Sequence, residues 1–214
     1  MSAPIPYIEE LKRKLIHLSS LWMVCSTIIL PRLCPAYGRW INLGLMGFCL
    51  AMTLISEHDY ANGGKYLGKL YGKLFHRMLR KEAKPGQWIV SGGAPVLAAA
   101  LLVNIIFPPH IAAASLAVML TGDAAAALIG RKFGKHPLVN GKSWEGCLSF
   151  IAVGYVFLTL TGIVNQMPGI FYLLGIAAVV VGAAAELFTA QLKLDDNFTI
   201  PLGTGAVLSL MLFL

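Results

Sequence analysis

Asp123 follows twelve mostly small or apolar residues that begin at Ile111, and six more separate it from Gly130 and Arg131. A carboxylate at that depth in an apolar stretch costs a few kcal/mol to insert, so it usually faces a protein interior, a partner or water. One reading is a helix-packing or capping group; the other, the default for an intramembrane acid, is a functional site. Glu186 stands similarly near the end of the apolar run from Ile170 to Leu187. Asp195 and Asp196 are adjacent, so they repel each other unless solvated or neutralised by a cation, and such hard oxygens suit Mg²⁺ with its retained waters. The segment Gly130 to Gly146 supplies the opposite charge through Arg131, Lys132, Lys135 and Lys142, with Gly130, Gly134 and Gly141 able to turn backbone N–H groups inward. That combination fits phosphate, although on composition alone it also fits a basic connection whose glycines only turn the chain. Gly141-Lys142-Ser143 does not close a P-loop, because His136 stands where the first glycine belongs and no strand precedes it. Carboxylates for Mg²⁺ together with a basic, glycine-bearing phosphate cradle describe a nucleotide-phosphate site.

The elements that must position these groups are membrane helices. Hydrophobic residues make up 57% of the 214 and charged ones only 13%, with a mean hydropathy of +0.72. A helix needs about 20 largely apolar residues to cross the hydrocarbon core. Seven stretches qualify: Leu15 to Leu33, Trp40 to Ser56, Trp88 to Phe107, Ile111 to Ile129, Gly146 to Val164, Ile170 to Leu187, and a short one from Thr199 to Leu214. The expected architecture is an all-α polytopic membrane protein, one catalytic domain over residues 1–214, with about seven transmembrane helices. Pro95 is expected to break the third. With the amino terminus cytoplasmic, fifteen of the seventeen Lys and Arg residues fall inside, and only Arg32 and Arg39 outside. All ten acids fall on the inner side as well. The net charge of +7 therefore belongs to membrane flanks and anionic lipid head groups, not to nucleic acid.

Between Glu57 and Gly86, Lys65, Lys69, Lys73 and Arg77 wind along one stripe, with Leu67, Leu70, Tyr71, Leu74, Phe75 and Met78 beside it. This predicts a basic amphipathic helix on the cytoplasmic surface, and Gly64, Gly68 and Gly72 allow it to pack closely on a neighbour. Cys25, Cys34, Cys49 and Cys147 are scattered through apolar stretches and indicate neither a disulfide framework nor a zinc site. No cleavable signal peptide is expected, because the first apolar stretch is too long and lacks an Ala-x-Ala end.

Four motifs in order resemble the CTP-dependent lipid kinases, the family of dolichol kinase, phytol kinase and CTP-dependent diacylglycerol kinase, related to phosphatidate cytidylyltransferases. They are Arg13-Lys14-Leu15-Ile16-His17; Gly122-Asp123 followed by Gly130-Arg131-Lys132-Phe133-Gly134; Gly141-Lys142-Ser143-Trp144-Glu145-Gly146; and Glu186 with Asp195-Asp196-Asn197-Phe198-Thr199-Ile200-Pro201. The resemblance spans nearly the whole chain and implies Mg²⁺-assisted transfer of the γ-phosphoryl group of CTP to the hydroxyl of a membrane lipid. The acceptor would be a polyprenol, a phytol-like prenol or a diacylglycerol. By position it implies Asp123, Asp195 and Asp196 as Mg²⁺ ligands. Arg13, Lys14, Arg131 and Lys142 would hold phosphates, and Glu145 or Glu186 would orient a lysine or the lipid hydroxyl. Gly122, Gly130, Lys132, Gly134, Gly141 and Ser143 complete the nucleotide-binding set, and His17 is a candidate base. Two alternatives stay open. A cytidylyltransferase would also use CTP, but the Lys-Asp pair with a Pro-Gly-His-Gly-Gly-type stretch of that family is absent. A seven-helix transporter would place polar groups near the midplane and show an internal repeat.

Overall fold

The computed structural model describes residues 7–64, 67–75, 85–89 and 91–213. Helices form the regular structure, with one isolated bridge between Pro137 and Ser143 among the described residues. They are α1 (Tyr7–Ser19), α2 (Trp22–Leu33), α3 (Gly38–Ala61), α4 (Leu67–Phe75), α5 (Gly93–Ile106), α6 (Pro109–Phe133), α7 (Trp144–Val164), α8 (Gly169–Leu187), the single turn α9 (Thr189–Leu192) and α10 (Asp196–Ser209). Among the described residues six segments are long and apolar enough to cross a membrane: Tyr7–Leu33, Gly38–Ala61, Pro109–Phe133, Trp144–Val164, Gly169–Leu187 and Asp196–Phe213. This is a polytopic all-α membrane protein.

Three of the expected spans are redrawn. The first begins earlier, at Tyr7, and is interrupted at Ser20 and Leu21 between α1 and α2. The third is helical only over the fourteen residues of α5, which span about 21 Å at 1.5 Å per residue and so fall short of a full crossing. Pro95 does not break it. It lies in the first turn, where no intrahelical N–H bond is lost. The last span starts at Asp196 instead of Thr199, and Pro201 inside it has no N–H for the Asn197 carbonyl.

Helix α6 is the axis of the bundle. Every residue from Ile111 to Ala124 is buried, and the run of alanines lets α1, α2, α5, α7, α8 and α10 approach it closely. Helix α3 sits outside this ring, against α2, α4 and α5. Deep in the bundle Asn42 donates to Thr27 Oγ1 and Asn104 Oδ1, both at 3.1 Å, which joins α2, α3 and α5 by side-chain hydrogen bonds.

The two basic residues at the other end of the bundle cap helices. Arg39 donates to the carbonyls of Asn104 and Ile105 at 3.1 Å, at the end of α5, and Arg32 to that of Val164 at 2.6 Å, at the end of α7. A guanidinium there satisfies last-turn carbonyls and complements the helix dipole.

The amphipathic segment is helical over α4, which carries Lys69 and Lys73; Lys65, Arg77 and Met78 lie outside the described residues, as do Arg80, Lys81 and Lys84. Gly68 and Gly72 do permit close packing: a Cβ on either would lie 2.3–2.4 Å from Tyr60 of α3. Glu57, expected to open the connection, is instead buried. It accepts from Tyr71 Oη at 2.7 Å, Ser91 Oγ at 2.5 Å and Ser91 N at 3.4 Å, and so ties α3, α4 and the start of α5 together. Burial pushes the Tyr71 phenol above its ordinary value, so it stays a donor.

Candidate active site

One end of the bundle gathers the charges. A cavity of about 420 Å³ opens between α1, α5, α6, α7, α8 and α10, within the ~300–1,000 Å³ of small-molecule sites. Four basic residues, Arg13, Lys14, Arg131 and Lys142, line it together with four acids, Glu10, Asp123, Glu186 and Asp196.

The α1 contribution follows from helical spacing. Glu10, Arg13, Lys14 and His17 recur at intervals of three and four, so one face of the helix carries them all into the cavity. Lys14 Nζ lies 2.5 Å from Asp123 Oδ2 on α6, and His17 Nε2 lies 3.4 Å from the same oxygen. Both members of the Lys14–Asp123 pair are largely buried. Glu10 is 1% exposed: its Oε1 accepts from Arg13 Nη2 at 2.6 Å, and its Oε2 is 3.4 Å from Arg131 Nη2. On the far wall Lys142 donates to Glu186 Oε1. The left-handed backbone at Asn140 (φ 59°) and Gly141 (φ 71°) turns the chain just before Lys142. Asn140 anchors that turn by donating to the Leu187 carbonyl at 2.8 Å.

Three helices begin at the cavity. Gly92 caps α5, Ser143 caps α7 by accepting from Gly146 N at 3.2 Å, and α10 starts at Asp196. Their amino-terminal dipole ends add to the four cations in favouring an anion.

Not every sequence candidate reaches the cavity. Asp195 caps α10 instead, accepting from Asn197 N at 3.0 Å and Asn197 Nδ2 at 2.5 Å. Glu145 is turned outward and accepts from His136 Nδ1 at 2.7 Å. Lys132 lies over the Phe133 ring, 5.2 Å from its centroid. Gly122 is a packing residue whose Cβ would meet Phe150 at 2.9 Å, and Gly134 one whose Cβ would lie 2.2 Å from the Gly130 carbonyl oxygen. Gly130, Gly141 and Ser143 do line the cavity, with Gly130 facing Gly146 where α6 and α7 cross.

Glu10, Asn140 and Cys147 line it as well and were not site candidates from the sequence, and Asn197 of the Asp195-Asp196-Asn197 motif lines it too. The spacing from Glu10 to His17 was the readable signal for the first of them. Mg²⁺ takes one or two carboxylates plus substrate phosphates and waters. Asp123 and Asp196 meet that requirement, and among the described residues no larger His, Cys, Asp or Glu cluster is assembled.

Known proteins were compared with the whole chain. No family model matches it, and no solved structure does. The phytol kinase of Synechocystis is 33% identical over 117 residues, 52% of this chain and 50% of the relative. Chloroplastic phytol kinase 1 of Arabidopsis thaliana is 34% identical over 219 residues, covering 92% of this chain and 64% of the relative. A phosphatidate cytidylyltransferase of Mycobacterium bovis is 34% identical over 83 residues, 36% of this chain and 27% of the relative. The chain thus spans between about a quarter and two thirds of the length of these three. It is related, at modest identity, to the phytol kinases, whose wider family its motifs resemble, and to the phosphatidate cytidylyltransferases.

Proposed function

We propose that the chain is a membrane lipid kinase that moves the γ-phosphoryl group of CTP to the hydroxyl of a prenol-type membrane lipid, on the cytoplasmic face. The observation that carries this reading is the cavity itself. Four cations and three helix amino termini suit a polyphosphate, and two of the acids suit its metal, at one end of a membrane bundle. The relatives named phytol kinase support a prenol over other acceptors.

Arg13 and Arg131 offer forked donors to the terminal phosphates, and Lys142 from the opposite wall neutralises charge as the bond to the γ-phosphorus breaks. Asp123 and Asp196 would hold Mg²⁺, which would neutralise phosphate charge. His17, beside the Asp123 carboxylate, would take the proton of the acceptor hydroxyl. The product is the lipid monophosphate with CDP released.

The mycobacterial relative favours a second reading, attack at the α-phosphorus with loss of pyrophosphate. The missing cytidylyltransferase signature weighs against it.

Thermal unfolding tests the donor. Mg²⁺ with CTP should raise the melting temperature, because a ligand bound only by the folded state stabilises it. EDTA should remove most of the rise, and ATP should give less. Lys142→Ala should weaken it by losing a charge-assisted contact worth about 1.5 to 3 kcal/mol. Equal stabilisation by ATP and CTP would contradict the cytidine assignment.

A further inference from the structure

Three of the four acids of the cavity are engaged by bases. Glu10 holds Arg13 and Arg131, Glu186 holds Lys142, and Asp123 holds Lys14 Nζ at 2.5 Å. Four acids face four bases in the lining. A bare metal ion that binds Asp123 must therefore take it from Lys14. That strands an ammonium which is 6% exposed in the free protein, and an uncompensated buried charge is strongly destabilising. A bare polyphosphate fares no better, since it draws Lys14 away and meets the freed carboxylates. A ligand carrying both charges avoids both penalties.

We propose that Lys14 is the resident cation of Asp123, and that a divalent metal reaches this carboxylate only together with a polyphosphate, which accepts Lys14 in the same event. The inference rests on the proposed metal–nucleotide function of the site and adds how that site is loaded. The lysine side chain needs only rotation about its flexible stem to leave Asp123 for a phosphate oxygen. The exchange makes the metal–nucleotide complex the binding species and excludes free metal, so Asp123 gains a metal only when a donor is present.

The test is metal binding without nucleotide, followed by the free Mn²⁺ signal in electron paramagnetic resonance of purified protein. Lys14→Gln should bind Mn²⁺ alone about 5- to 150-fold more tightly than the unmodified protein, the range of ordinary site-to-site coupling. Lys14→Arg should stay as weak as the unmodified protein, and Lys14→Gln combined with Asp123→Asn should lose the gain. Equal Mn²⁺ affinity in the unmodified protein and Lys14→Gln would overturn the exchange. So would a gain that survives the loss of Asp123.

A second measurement needs no variant. Mg²⁺ alone should leave the melting temperature unchanged at a concentration that raises it when CTP is present, and a rise with Mg²⁺ alone would also overturn the proposal. The two readings fail separately. A Lys14→Gln protein that gains Mn²⁺ while CTP binds in no form would refute the nucleotide donor and keep the exchange.

Discussion

Glu10 and Arg131 meet across two helices, with Oε2 of the acid 3.4 Å from Nη2 of the arginine. The other oxygen of Glu10 takes Arg13 at 2.6 Å, so one buried carboxylate fixes two guanidinium groups on adjoining walls of the cavity. A guanidinium carries five N–H donors in all. Glu10→Gln should raise KM for the nucleotide about tenfold, the loss of one charge-assisted contact, and change kcat much less. Steady-state kinetics with the nucleotide varied would show this, and an unchanged KM would reduce Glu10 to a packing role.

Asp123→Asn removes a charge with little change in volume. Turnover should fall by about 10²-fold or more, as when a group acting on transition-state charge is lost. The protein should remain inserted and helical by circular dichroism. Activity equal to the parent would remove Asp123 from the mechanism.

Cys147 lines the cavity in the first turn of α7, whereas Cys25, Cys34 and Cys49 lie on α2, α3 and the connection between them. In a protein keeping only Cys147, a bulky maleimide should inactivate, and Mg²⁺ with CTP should slow the modification. A modification rate indifferent to nucleotide would place the ligand elsewhere.

Arg39 holds the last carbonyls of α5 far from the cavity. Arg39→Ala should lower stability by about 1 to 2 kcal/mol and leave turnover per folded molecule unchanged. Thermal unfolding and activity, measured on one preparation, would separate the two effects.

The charge bias fixes the expected orientation. Cysteines introduced at Lys73 and Lys135, in a background without the native four, should resist an impermeant thiol reagent in intact cells. Labelling of both from outside would reverse the topology.

What could be read in advance depended on contrast. Asp123 and Glu186 stand out because an ionisable group in an apolar run is costly, Lys14 is legible only through the motif before the first span, and all three lie in the cavity. Glu10 and Glu57 are just as buried, yet each lies where an apolar run meets a polar flank; the spacing to His17 is the local signal for Glu10, and nothing local separates Glu57 from a solvated acid. Their partners Arg131, Tyr71 and Ser91 come from other parts of the chain, which a local pattern does not join. The glycines misled in the opposite direction. Gly122 and Gly134 read as phosphate contacts, and the facing bulk of Phe150 and the Gly130 carbonyl explains them as packing. Lengths went astray at α5, where Trp88 and Ile89 extend the apolar run without extending the helix.

The central claim is γ-phosphoryl transfer to lipid. Purified protein incubated with membrane lipid extract, Mg²⁺ and CTP labelled at either the γ or the α position, followed by thin-layer chromatography of the lipids, tests it directly. The account predicts lipid-borne label from γ-labelled CTP and none from α-labelled CTP. Label from the α position would mean cytidylyl transfer, and no label from either would remove the kinase assignment.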